Sequence, residues 1–166
     1  MDLIVDPAGV LTFGGRECRC ALGRGGITRD KHEGDGATPA GSWTLRRVLY
    51  RPDRVAAPRT VLPTAELGPA DGWCDDPDDP LYNQPVTLPH GGRCEALWRD
   101  DHLYDIVVVL GYNDSPPVAG RGSAIFLHVA RPDYGPTEGC VALAPGDLVD
   151  ALGAVGRDSK VVIHDG

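Results

Sequence analysis

Long apolar runs are missing from this sequence. No stretch approaches the roughly 18 consecutive apolar residues that a membrane-crossing helix needs. The opening residues, Met1-Asp2-Leu3-Ile4-Val5-Asp6-Pro7, carry neither a basic segment nor an apolar core, so no secretory leader is expected. With Met1 as the natural start, the expected location is the cytoplasm. Positive charge is also scarce. Sixteen Lys and Arg face 24 Asp and Glu, a net charge of −8, which argues against a nucleic acid or an anionic membrane as partner. The five cysteines contain no C-x-x-C pair; Cys18 and Cys20 form a C-x-C, and Cys74, Cys94 and Cys140 are scattered. A zinc-stapled module built on Cys18, Cys20, Cys74 and Cys94 is therefore disfavoured, and no metal or cofactor is expected. An odd cysteine count fits either five thiols or two disulfides and one free thiol, so it does not fix the compartment. Repeats, low-complexity segments and interdomain linkers are absent as well, and 166 residues suit one domain over 1–166.

Glycine (22) and proline (15) are plentiful, which predicts many turns and few long helices. Short strands are expected at Leu3–Val5 and Val10–Phe13 around the turn Asp6-Pro7-Ala8-Gly9. Further strands are expected at 16–22, with Cys18 and Cys20 as small buried fillers on one face, and at 43–51, 60–62, 95–97, 104–112, 124–129, 141–143 and 160–164. One helix is expected near 148–155, with Asp147 as its N-cap and Leu148, Ala151, Leu152 and Val155 on one face. The acidic stretch 71–80 lacks the glycine and terminal glutamate of an EF-hand and reads as a solvated loop. Trp73, Asp75, Tyr82 and Asn83 are candidates for a cleft edge. Tyr112 and Asn113, at the end of a strong apolar strand, are candidates for a pocket. The fold class is mainly β.

The chemistry concentrates in Ser123–Leu143. An apolar run, Ala124 to Val129, carries His128 near its end. The chain breaks at Arg131-Pro132, turns through Gly135-Pro136, and reaches Thr137-Glu138-Gly139-Cys140 before a second apolar run. The imidazole and the thiol are twelve positions apart, joined by a loop that can fold back. A thiolate attacks carbonyl carbon, and a neighbouring imidazole can generate it.

The motif His128, Thr137, Gly139, Cys140, Val141 resembles the active-site signature of the L,D-transpeptidase catalytic (YkuD-like) domain. The stretch Asp35-Gly36-Ala37-Thr38-Pro39-Ala40-Gly41-Ser42-Trp43 resembles that family's Thr-Pro-x-Gly-x-aromatic segment. The resemblance implies a YkuD-like β-sandwich with one or two short helices. It implies Cys140 as nucleophile, His128 as base, and the N–H groups of Gly139 and Cys140 as oxyanion donors. It places Arg29, Lys31 and Glu33 towards the cleft, with Trp73, Tyr112, Asn113, Arg131 and Thr137 as substrate-binding candidates. The implied substrate is a peptidoglycan tetrapeptide or muropeptide, cut between an L-centre, usually of diaminopimelate, and D-alanine through a thioester. Hydrolysis by an L,D-carboxypeptidase of muropeptide recycling is the favoured expectation. Transpeptidation, giving 3-3 cross-links or D-amino-acid exchange, is the alternative, and an inactive binding domain is the rival of another class. Two positions depart from the family pattern: Glu138 stands where many relatives have histidine, and Ala142 where many have arginine. Arg131, Arg24 and Arg121 are the candidates to replace that guanidinium.

Overall fold

The first hairpin forms where its turn directs it. Asp6 Oδ1 accepts hydrogen bonds from Ala8 N (2.9 Å) and Val10 N (3.1 Å), and Gly9 takes a positive φ of 81°. The computed structural model describes all 166 residues. The strands in chain order are β1 (Leu3–Val5), β2 (Val10–Phe13), β3 (Arg16–Ala21), β4 (Ile27–Thr28), β5 (Thr38–Pro39), β6 (Gly41–Tyr50) and β7 (Thr64–Glu66). They continue with β8 (Asp71–Cys74), β9 (Pro85–Thr87), β10 (Cys94–Ala96), β11 (Ile106–Leu110), β12 (Phe126–Val129) and β13 (Val141–Leu143), then helix α1 (Pro145–Ala154) and β14 (Lys160–Ile163).

The main sheet runs β11-β12-β13-β3-β2-β1-β14-β6-β7, and β11 also pairs with β6. Two strands turn the corners of this sandwich. The first half of β6 pairs with β14 and its second half with β11. The body of β3 pairs with β2, while its last residues, Cys20 and Ala21, pair with β13. Strands that switch sheets in this way join two packed layers without an extra connection. The core between them holds Leu3, Val5, Leu11, Val108, Leu127, Val141 and Leu143, and α1 adds Leu148, Ala151 and Leu152. Cys20 is buried in this core and Cys18 packs against it.

Strand β11 is buried at all five residues, so both of its faces are covered. Ile106, Val108 and Leu110 face the main core; Val107 and Val109 face a second cluster with Phe126, Trp73, Leu97, Tyr104 and Cys140. The cover on that side includes the small sheet β10-β8-β9, which supplies Trp73. The alternation repeats in β12: Leu127 and Val129 belong to the main core, and Phe126 and His128 to the opposite face.

Three elements differ from the sequence expectation. No strand forms at 60–62; Thr60 Oγ1 accepts Leu62 N (3.3 Å) in a turn that sends Leu62 inward, and the strand starts at Thr64. The acidic loop begins four residues late, because Asp71–Cys74 is strand: Gly72 lets β8 approach Leu88, whose Cδ2 would lie 2.7 Å from an added Cβ. Asp147 is not the N-cap. Ala144 holds that position without a side-chain bond, Pro145 opens the helix, and Asp147 instead meets Arg16 (2.6 Å).

Leu127 has no solvent exposure, so Leu127→Ala is expected to lower unfolding free energy by about 2–5 kcal/mol. Arg16→Ala removes half-exposed ion pairs and a stack over Phe13, and should cost far less than Leu127→Ala. Urea titrations of both variants check the contrast.

Candidate active site

Strands β12 and β13 run parallel, with Leu127 opposite Val141 and His128 opposite Ala142. Cys140 therefore immediately precedes β13 and lies beside the face of β12 that carries Phe126 and His128. Its Sγ–H donates to the carbonyl of Ala124 (3.2 Å), and Sγ accepts from Phe126 N (3.4 Å). No hydrogen bond joins Sγ to the imidazole in this state. The His128 ring has Nδ1 2.9 Å from the carbonyl of Val129. A carbonyl only accepts, so Nδ1 carries the proton and Nε2 is left as the basic nitrogen. Tyr104 packs edge-on against the ring, with centroids 5.3 Å apart. Thiol and imidazole line one cleft of about 390 Å³.

The turn before Cys140 is closed by Thr137. Its hydroxyl donates to the Cys140 carbonyl (2.7 Å) and accepts from Gly139 N (3.1 Å). Gly139 has φ 130°, and an added Cβ would meet the Ala37 carbonyl at 2.8 Å. The two sequence motifs thus touch. Gly23 seals the junction: its N–H donates to Thr38 Oγ1 (2.9 Å), and a Cβ there would lie 2.2 Å from the Gly36 carbonyl. In this turn the Gly139 N–H is engaged by Thr137. The turn's hydrogen bonds leave the Cys140 N–H unused.

Burial dominates the electrostatics. It pushes the Cys140 thiol up to about 12 and the His128 imidazole down to about 4. Near neutral pH both groups are uncharged, and the proton leaves the thiol only when something in the cleft changes. Four carboxylates (Glu33, Asp75, Glu95, Glu138) and two guanidiniums (Arg99, Arg131) line the cleft. Glu95 accepts a short hydrogen bond from Tyr104 OH. Arg99 is tied to Asp101 (2.9 and 2.6 Å). Arg131 forms no ion pair and is the uncommitted guanidinium of the cleft.

Several expected cleft residues lie elsewhere. Trp73 packs behind Phe126, with centroids 5.1 Å apart, and donates Nε1–H to Asn83 (3.0 Å). Tyr112 stacks edge-on with Trp43 and bonds the Arg121 carbonyl. Asn113 clasps its own loop through Val118 and Gly122. Thr137 reaches the cleft, but its hydroxyl is spent on the turn. Arg24 pairs with Glu138 (2.9 Å) and Arg121 with Asp30 (3.3 Å), both outside the lining. Arg29 pairs with Asp165, and Lys31 is buried against Asp35 (2.5 Å); only Glu33 of that trio lines the cleft.

Sequence reasoning missed Tyr104, Glu95 and Arg99, and undervalued Asn83. Asn83 is 5 % exposed, accepts from Trp73 Nε1 and Ala124 N (3.0 Å), and donates to the carbonyls of Tyr112 (3.1 Å) and Asn113 (2.8 Å). It thereby holds Ala124 at a positive φ of 54°, with its carbonyl against the catalytic-candidate sulfur. The sequence offered Asn83 only as a candidate for the cleft edge.

The thiol and the imidazole thus share one cleft of a doubly corner-turned β-sandwich. The model of the L,D-transpeptidase catalytic domain matches residues 3–163, and the chain belongs to that enzyme family. Among solved structures it is similar to Bd1075 of Bdellovibrio bacteriovorus (TM-score 0.50, 13 % identity, 99 % of this chain and 47 % of that one). It is also similar to L,D-transpeptidase 1 of Mycobacterium tuberculosis (TM-score 0.44, 13 % identity, 98 % and 60 %) and to the helical cell shape determining protein Pgp2 of Campylobacter jejuni (0.48, 14 %, 98 % and 46 %). The chain thus spans about half of those longer proteins. No curated protein sequence matches it.

Two pH effects follow. The rate of Cys140 labelling by iodoacetamide should keep rising about tenfold per pH unit through pH 10, instead of levelling near the ordinary thiol value of about 8.5. The unfolded chain binds a proton on His128 below about 6.5, whereas the folded chain does so only near 4, so stability is lost as pH falls across that window. The loss should reach about 3 kcal/mol. Urea unfolding at pH 7 and pH 4.5 measures it, and His128→Gln should flatten that part of the curve.

Proposed function

We propose that the chain is an L,D-carboxypeptidase that removes D-alanine from a peptidoglycan stem tetrapeptide or small muropeptide. The observation that carries the reading is the cleft itself: thiol, basic imidazole nitrogen and one uncommitted guanidinium, Arg131, share it. Arg131 suits the terminal carboxylate of D-alanine, in place of the arginine that Ala142 does not supply. Cys140 gives its proton to His128 Nε2, and the thiolate adds to the carbonyl carbon of the L-centre. The oxyanion faces the Cys140 N–H. Collapse breaks the C–N bond, and the imidazolium returns its proton to the departing amine of D-alanine. Water, deprotonated by His128, then cleaves the thioester and restores the thiol.

The size of the cleft favours water as acceptor. About 390 Å³ is at the low end of small-ligand sites, a size that suits the end of one stem. Trimming of soluble muropeptides fits a cytoplasmic setting, where Cys74 and Cys94, opposed in register, stay as thiols. Transpeptidation is the second reading, favoured by the excess of carboxylates over guanidiniums in the cleft lining, which suits an ammonium acceptor.

Incubation with a disaccharide tetrapeptide should release D-alanine with no dimer or exchange product when an amine acceptor is added. Cys140→Ala should abolish release. Arg131→Ala should lower kcat/KM about 10- to 100-fold, mainly through KM, with Arg131→Lys recovering part of it. Dimers or amine exchange would transfer the assignment to the transpeptidase, and an active Cys140→Ala variant would end the thioester mechanism.

A further inference from the structure

The small sheet that covers the cleft has almost no core of its own. Its strands are four, three and three residues long, β8, β9 and β10. In its register Cys74 stands opposite Cys94, and Glu95 opposite Trp73. Directly opposed residues of antiparallel strands share a face, so the two thiols lie on one side of this sheet. Their chain neighbours Asp75 and Glu95 line the catalytic cleft. What fixes the thiol side therefore sets the position of two cleft carboxylates.

On the thiol side the chain gathers further ligands. The ligand atoms of Cys74, Asp79 and His90 all lie within 4.8 Å of one another. Cys74 is fully buried, and Asp79 and His90 are largely so. Asp79 Oδ1 is occupied by Leu81 N (2.7 Å), which leaves Oδ2 facing His90 Nε2 at 2.8 Å. Gly92 allows the returning loop to close over this carboxylate, since an added Cβ would fall 2.3 Å from Asp79 Oδ2. A tetrahedral zinc with bonds of about 2.0–2.3 Å spaces its ligand atoms roughly 3.3–3.7 Å apart. To match, the His90–Asp79 contact has to open slightly and any wider separation within the 4.8 Å cluster has to close. Thiolate, imidazole and carboxylate together suit zinc, whereas calcium and magnesium take oxygen ligands.

We propose that Cys74, Asp79 and His90 bind one structural zinc ion, with Cys94 turning in as the fourth ligand, and that this ion staples the cover of the cleft. The chain spacing is two short arms, Cys74 to Asp79 and His90 to Cys94, brought together by the β8–β10 pairing. Binding releases one proton from each ligating thiol to solvent, while the imidazole binds neutral and the carboxylate ionised. The staple also keeps Cys74 and Cys94 from pairing as a disulfide.

Reduced, chelator-stripped protein titrated with cobalt(II) tests this without recourse to activity. Thiolate-to-cobalt charge transfer and tetrahedral d–d bands should saturate at one cobalt per chain and vanish on adding zinc. Cys74→Ser and His90→Gln should each weaken binding at least tenfold, and Cys94→Ser should about halve the charge-transfer intensity. Cys18→Ser, in the main core, should leave the bands unchanged. Because the ligand variants could unfold, the wild-type protein is also melted with zinc and with chelator; zinc should raise Tm. Absence of the bands in reduced wild-type protein, or bands that survive Cys74→Ser with His90→Gln, would overturn the site. An unaltered band in Cys94→Ser would overturn the fourth ligand. A Tm indifferent to zinc would overturn the staple.

Discussion

Strand β12 has two dry faces, and the chemistry depends on that constraint. Leu127 and Val129 lie in the main core, so Phe126 and His128 must face the other way. A half-exposed strand would leave His128 in water with an ordinary titration. Here Tyr104 packs against it and it is 5 % exposed. The same covering buries Cys140. A dry site disfavours a thiolate–imidazolium pair, and it strengthens any charge interaction made once such a pair forms. The thiol is held on the Ala124 carbonyl, and burial keeps it neutral.

Positioning rests on close backbone contacts more than on side-chain bonds. Gly139 meets Ala37, and Gly23 meets Gly36, Thr38 and Gly139, at separations that no Cβ would tolerate. These contacts explain why two segments about a hundred residues apart carry the recognisable motifs: they are the two sides of one joint. Thr137 and Asn83 then orient the turn and the Ala124 carbonyl from either flank. Both act through backbone groups and so fix the surroundings of the thiol.

What was legible in the sequence followed from local pattern. Alternation and turn residues located most strands, the Asp6–Gly9 hairpin and the late helix, and the His–Cys spacing marked the site. What failed was whatever depended on distant partners. Tyr112 and Asn113 end an apolar strand near the catalytic one in sequence, yet the loop folds so that they clasp Arg121, Val118 and Gly122. Tyr104 looked like the first residue of a buried strand, and its role at the His128 ring comes from the β11–β12 pairing. Cys74 and Cys94 looked scattered because a register 20 positions wide is invisible to a search for local pairs.

Ala142 and Glu138, the departures from the family pattern, take on meaning together. Ala142 is 1 % exposed and packs with Ala21 and Ala130, a layer too tight for a long side chain at that point. An arginine there would have to emerge into the cleft beside His128, its register partner. With alanine, that space is open and Arg131 reaches the same cleft from the following loop. Glu138 at the rim is held by Arg24, which removes one carboxylate from competition for Arg131. The uncommitted guanidinium of the cleft thus stands on the loop after β12 and not on β13. A loop position is less rigidly fixed than a strand position, so Arg131 is less tightly placed than a side chain at 142 would be.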